Sequence, residues 1–278
     1  MTDNGNGRVW FITGTSSGFG RTLAEAALAR GERVVATARD VTAVHDLADS
    51  AVVAPLDVTA PASIRAAVDT ALAAYGRIDV LVNNAGYGLV GAVEELSDEQ
   101  TRKVLETNVF GVLAVTRAVL PHFRERRSGH IVQLSSVGGV VATPGHAIYA
   151  ASKFALEGLS EALAGEVATL GIRVSIVEPG PFRTDFAGRS MVFSDPIDDY
   201  RETAAKHIRA RFADHSGQQP NDPARAAEAI FKLVDTEDSP LRLPLGPEAV
   251  GAIRKKLENQ LADLAAWEAV AVDTRYED

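Results

Sequence analysis

Short β-branched runs alternating with longer alanine-rich stretches constrain this chain more than any other feature in it. The runs cover residues 9–13, 33–37, 52–56, 80–82, 130–134 and 173–178. Between them, apolar residues at helical spacing mark 18–30, 61–75, 98–124, 149–170 and 223–234. A chain that leaves one strand and re-enters beside it in the same direction needs a crossover, and a helix is the usual one. Several of the runs are apolar at nearly every position, as strands covered on both faces should be. The expectation is an α/β fold of three layers, a doubly wound parallel sheet with helices on both faces. Start and stop signals agree with it. Pro61 sits just inside its helix, Ser97 precedes Gln100 by three residues, and Gly31 and Gly171 follow helical patterns as C-terminal caps.

The 278 residues suit one domain, with a core over 8–245, a substrate loop or lid over 180–220 and a helical extension over 246–278. The lid segment is dense in Pro, Gly, Asp and Ser, yet it carries Phe182, Phe186, Met191 and Phe193. A long connection after a strand's carboxyl end commonly covers a site. The extension places Ile253, Leu257, Leu261, Leu264 and Trp267 at helical spacing, which predicts an amphipathic helix against the body or a partner. A net charge of −9 argues against a nucleic-acid partner. The absence of cysteine removes disulfides, thiolate catalysis and cysteine metal sites, and no His/Asp/Glu spacing suits a metal. Residues 1–7 are polar without a leader pattern, and no uninterrupted apolar run of membrane length is present, so a cytoplasmic protein without a membrane partner is expected.

Directly after the first run comes Thr13-Gly14-Thr15-Ser16-Ser17-Gly18-Phe19-Gly20, opening into a helix. Glycines permit a tight turn and close approach of backbone to a pyrophosphate, and a helix N-terminus offers free N–H groups and the positive end of its dipole. The spacing is G-x-x-x-G-x-G rather than G-x-G-x-x-G. At the end of the second run, Ala38 leaves the position of a ribose-binding acid empty and Arg39 follows, which favours NADP(H), with NAD(H) as the alternative. Asp40 complicates this, since it could neutralise Arg39 or itself accept from the ribose.

Tyr149 and Lys153 stand four apart, so a helix places them on one face, and Ser136 lies thirteen residues upstream. An ammonium beside a phenol favours the phenolate, lowers its pKa and readies it for proton transfer.

These features together resemble the short-chain dehydrogenase/reductase family. Thr13-Gly14-(x3)-Gly18-x-Gly20, Asp57-Val58, Asn83-Asn84-Ala85-Gly86, Asn108, Ser136, Tyr149-x3-Lys153 and Pro179-Gly180 follow the family's order and spacing over residues 8–245. The resemblance implies a Rossmann-type sheet of about seven strands, the last near 241–245. It implies Tyr149 as general acid or base, Lys153 lowering its pKa and holding the nicotinamide ribose, and Ser136, rather than Ser135, bonding the substrate oxygen. Asn108 would position a water of a proton relay. Gly14, Ser16, Ser17, Gly18, Phe19 and Gly20 would cradle the pyrophosphate, and Arg39, Asp57, Val58, Asn84, Ala85 and Gly86 the adenosine side. Pro179, Gly180, Phe182 and Thr184 would lie by the carboxamide or phosphates.

The activity so implied is NADP(H)-dependent hydride transfer between the cofactor and a carbonyl or secondary alcohol. Tyr87, Val137, Gly138, His146, Phe186, Met191 and Phe193 would line an apolar pocket for a lipophilic ketone. Rival readings are a catalytically silent NAD(P)-binding regulator, a reductase of 3-oxoacyl groups on an acyl carrier, and a nucleotide-sugar epimerase or lyase. The last lacks its larger substrate domain here. Relatives are commonly homodimers or homotetramers, packed through helices that would be 98–124 and 149–170.

Overall fold

A computed structural model describes residues 7–214 and 217–276. The polar segment 1–6, two residues of the lid (215–216) and the last two residues lie outside the described residues. Nine strands and eight α-helices run β1 Val9–Ile12, α1 Gly18–Ala29, β2 Arg33–Ala38, β3 Val52–Pro55, α2 Pro61–Tyr75, β4 Val80–Asn83, β5 Gly88–Val90, α3 Asp98–Leu105, α4 Val112–Arg126, β6 Gly129–Leu134, α5 Ala147–Val167, β7 Ile172–Pro179, β8 Met191–Phe193, α6 Ala205–Asp214, α7 Pro223–Asp235, β9 Arg242–Leu245 and α8 Pro247–Val272.

Seven strands form one parallel sheet in the order β3-β2-β1-β4-β6-β7-β9. Alternate residues of each strand point to opposite faces, and two apolar cores result. One packs Trp10, Ile12, Val34 and Val82 against α1 and α7, with Trp10 edge-on to Phe231 at 5.2 Å. The other packs Val9, Phe11, Leu81 and Ile131 against Ile64, Val119 and Phe123. Fully burying one such side chain contributes on the order of 2 kcal/mol, so the two cores account for the sheet's rigidity. The strand order reverses between β1 and β4, and their carboxyl ends diverge into a crevice there.

Four differences from the sequence reading matter. The predicted helix 98–124 is interrupted by a π-helical turn, Glu106–Gly111, where Gly111 lies so close to Val58 that a side chain would clash. The continuous run 98–126 is, contrary to expectation, long and apolar enough by length and composition to cross a membrane. It carries Val104, Val115, Val119 and Phe123 fully buried in this fold, as a core helix does. The lid is not a bare loop: β8 pairs in parallel with β5, and α6 follows. Finally, only Ala249 and Ile253 of α8 are buried, so most of that helix does not pack on the body.

Candidate active site

The glycine turn between β1 and α1 forms because two of its residues need positive φ, Gly14 at 71° and Gly18 at 59°. Gly20 is required for a different reason: a Cβ there would collide with the Gly14 carbonyl oxygen and the Asn84 amide. Ser17 is the N-cap of α1 and makes no capping bond through its side chain, and the first turn carries no acid. The first N–H groups of α1 therefore face the crevice unmet by any side-chain cap, with a backbone surface free of side chains in front of them. That arrangement fits the pyrophosphate of a dinucleotide.

Asn84 braces this cradle. Its Nδ2 donates to the carbonyls of Thr13 (2.8 Å) and Gly14 (2.9 Å), while Thr13 Oγ1 accepts from the N–H groups of Asn84 and Ala85. Both amide protons of Asn84 are thus committed to the loop, while the residue still lines the cavity. Phe19 and Phe182 meet edge to face at 5.1 Å and tie the cradle to the segment after β7. Asp40 caps the turn after β2 by accepting from the N–H (3.0 Å) and hydroxyl (2.7 Å) of Thr42, bonds that hold its carboxyl below the ordinary range. It is spent on that turn and not on Arg39. Asp57 behaves likewise toward Thr59, with Arg39 adding a weaker attraction.

Past the cradle, Ser136 stands at the end of β6 and accepts from the Gly138 N–H (3.0 Å). Tyr149 and Lys153 project from α5, and the side chains of Tyr149 and Ser136 converge beside Gly138. Both Tyr149 and Lys153 are buried, and Lys153 Nζ donates to the Leu134 carbonyl at 2.7 Å. Burial pushes the Tyr149 hydroxyl up to about 12, against the smaller lowering by Ser136. Lys153 is pushed down to about 8 by burial, with Glu157 opposing. Burial thus sets the direction for the Tyr149 phenol in this structure, opposite to the lowering expected from an adjacent lysine by itself. Ser135 turns its hydroxyl toward Gly139 and Glu157, away from the tyrosine.

Asn108 lies in the π turn, buried. Its Oδ1 accepts from the Tyr87 N–H (3.1 Å), and its Nδ2 donates to the Tyr87 carbonyl (2.9 Å) and to Ser152 Oγ (3.1 Å). Both amide protons are held by protein, and the side chain fixes the strand end in place.

One cavity of about 1020 Å³ joins all of this. Gly14, Ser16, Ser17, Gly18, Phe19, Arg39, Asp57, Val58, Asn84, Ala85 and Gly86 line one arm. Ser136, Val137, Gly138, His146, Tyr149, Lys153, Pro179, Gly180, Phe182, Thr184, Phe186 and Tyr87 line the rest. Gly20 lies behind the wall, as does Asn108. Met191 and Phe193 are also outside it: Met191 packs under Gly88, and Phe193 stacks on Arg209, 5.9 Å from its centroid. Alternation along β8 turns the intervening Val192 to the cavity instead. His146 stacks on Tyr149 with centroids 4.4 Å apart. The sequence reading, which places 137–142 at an apolar pocket, missed Val192, Ile208 and Phe212, which with Val141 complete its apolar lining. The i, i+4 spacing of Ile208 and Phe212 was the available signal for α6.

Comparison with known proteins agrees with this geometry. Residues 8–192 match the family described as short chain dehydrogenase. Oxidoreductase BOA17 of Botryotinia fuckeliana is 37% identical over 95% of this chain and 98% of its own. A 3-ketodihydrosphingosine reductase of Bacteroides thetaiotaomicron is 37% identical over 86% of this chain and 88% of its own. Retinol dehydrogenase 8 of Bos taurus is 38% identical over 84% and 80%. The crystal structure of a short-chain dehydrogenase from Streptomyces avermitilis superposes with a TM-score of 0.91 at 46% identity, covering 98% of this chain and 99% of that one. Two Burkholderia enzymes, each 26% identical over 94% of this chain and 97% of their own, were solved in complex with NAD (TM-score 0.79) and NADP (0.74). The chain therefore belongs to the short-chain dehydrogenase family, oxidoreductases that interconvert alcohols and carbonyls with a nicotinamide cofactor.

Proposed function

We propose that this protein is an NADP(H)-dependent reductase of lipophilic ketones, running the reverse oxidation on the corresponding secondary alcohols, with Ser136, Tyr149 and Lys153 as the reacting set. The observation that carries the reading is the convergence of Ser136, Tyr149 and Lys153 on one cavity that joins a glycine-rich phosphate cradle to an apolar chamber. When bound, the dinucleotide supplies the hydride.

The residues of this chain do the rest. The opening turn of α1 holds the phosphates, Arg39 meets a 2′-phosphate, and Lys153 holds ribose hydroxyls. Ser136 donates to the substrate oxygen as negative charge develops on it, and Tyr149 gives that oxygen its proton. A hydroxyl raised to about 12 stays protonated at working pH, the form that reduction requires. Any relay through Asn108 uses its main chain, because both side-chain amide protons are held by protein.

The apolar chamber of Val141, Phe186, Val192, Ile208 and Phe212 supports a lipophilic substrate. So do the names of two relatives, a 3-ketodihydrosphingosine reductase and a retinol dehydrogenase. A silent regulator is disfavoured by the complete reacting set, and an acidic acyl carrier by a net charge of −9. Exposed Phe110 and Phe154 on the stretch joining α3 to α4 and on α5 support a homodimer or homotetramer through that face.

The test is dinucleotide consumption over a carbonyl panel, with NADPH and NADH side by side. Turnover of apolar ketones with NADPH preferred is expected, and Arg39→Ala should reduce that preference at least about tenfold. Binding without turnover, or best rates on short keto acids, would overturn the reading.

A further inference from the structure

Beyond Ile253, α8 leaves the body and continues for five more turns with an apolar stripe uncovered. Leu257, Leu261, Leu264 and Trp267 are 50, 65, 61 and 66% exposed. At 100° per residue the three leucines fall within about 60° of one another, in line with Val250 and Ile253 and with Trp267 at the edge. An isolated helix of this length is marginal in water, and a contiguous apolar face of this kind marks a contact surface.

The charges on α8 identify what covers it. Arg254, Lys255 and Lys256 precede the stripe's centre at Leu261, and Asp263, Glu268 and Asp273 follow it. Arg254 and Glu268 lie seven residues before and seven after Leu261, Arg254 at the margin of the stripe and Glu268 within its arc. A second α8 laid antiparallel about a twofold axis at Leu261 sets Arg254 against Glu268 at both ends. It also sets Leu261 against itself and Leu257 beside Leu264. A parallel pair would oppose Glu268 with Glu268 and Arg254 with Arg254. An anionic membrane surface suits the helix poorly, since four carboxylates of Glu258, Asp263, Glu268 and Asp273 accompany the stripe.

We propose that α8 is a self-association element that pairs antiparallel with α8 of a second copy of this chain, through Leu257, Leu261 and Leu264 and reciprocal Arg254–Glu268 ion pairs. This surface is separate from the α3–α5 face and adds a second twofold contact to the assembly. The lack of cysteine in the chain makes the test clean.

Sedimentation of the full-length protein reads the association. Leu261→Glu should lower the assembly by one twofold step. Glu268→Arg should weaken association at least about tenfold, and the double exchange Arg254→Glu with Glu268→Arg should restore it to within about threefold. Leu261→Cys should yield a disulfide-linked dimer on mild oxidation, whereas Ala266→Cys, on the opposite side of the helix, should not. None of these residues lines the cavity, so unchanged turnover shows that each variant is folded. Equal mass for wild type and Leu261→Glu, failure of the double exchange to rescue, or recruitment of wild type to phosphatidylserine vesicles lost in Leu261→Glu would each overturn the proposal.

Discussion

Behind Lys153, two carboxylates share one guanidinium, and the consequence for stability can be worked out. Glu178 ends β7 with its side chain only 1% exposed, and Glu157 of α5 is 8% exposed. Arg242 Nε lies 3.1 Å from Glu157 and 3.5 Å from Glu178, and it also bonds Glu161 at 2.6 Å. Burial, and then the like charge of Glu157, push the Glu178 carboxyl from 4.5 up to about 7, with Arg242 only partly compensating. The folded protein thus binds more protons than the unfolded chain between those two values, so stability is greatest below about pH 4.5 and declines as pH rises through about 7. A rise of that size corresponds to about 3 kcal/mol of stability lost above the upper value. Glu178→Gln keeps the shape and removes the titration. Relative to wild type, its stability should therefore improve by about 3 kcal/mol between pH 4.5 and pH 8. Urea unfolding of both proteins across that range measures the difference, and taking the difference cancels the titrating groups that do not interact with Glu178. A pH-independent difference, or one that grows as pH falls, would refute the reasoning.

Other consequences are equally direct. Tyr149→Phe should lower kcat by roughly 10² to 10⁴ while leaving NADPH affinity within a factor of about two, read by single-turnover kinetics and fluorescence titration. In the cofactor-free protein an ultraviolet titration should find the Tyr149 hydroxyl still protonated at pH 10. Gly20→Ala presses a methyl group on the Gly14 carbonyl and the Asn84 amide; calorimetry should show about 1–3 kcal/mol of destabilisation and titration a dinucleotide affinity at least about tenfold weaker. Glu95 pins the lid by accepting from the Ile197 N–H (2.9 Å) and pairing with Arg209 (3.4 Å), so Glu95→Ala should raise KM for the ketone about tenfold with NADPH affinity unchanged.

Much of the crevice could be read from residue order because its parts are local. A turn needing positive φ shows as Gly14 and Gly18, and two groups sharing a helix face show as Tyr149 and Lys153 at i, i+4. The lid was harder. β8 exists only because β5, a hundred residues away, offers an edge, and which of Met191, Val192 and Phe193 faces the cavity follows from that register. The helix carrying Asn108 reads as continuous because its apolar residues keep helical spacing past Gly111 and Pro121. Its π turn sets Gly111 against Val58, a contact between elements that residue order does not show.

Periodicity and glycine placement, which act within a few residues, were enough by themselves to determine the parallel α/β sheet, the glycine turn and the shared helix face of Tyr149 and Lys153, whereas the choice of Ser136 came from the family resemblance. Only the tertiary structure decided how those residues ionise and what they touch: Tyr149 raised rather than lowered, Asn84 and Asn108 spent on backbone, Asp40 turned away from Arg39. Desolvation and competition for hydrogen bonds depend on everything packed around a group, and most of that arrives from distant parts of the chain.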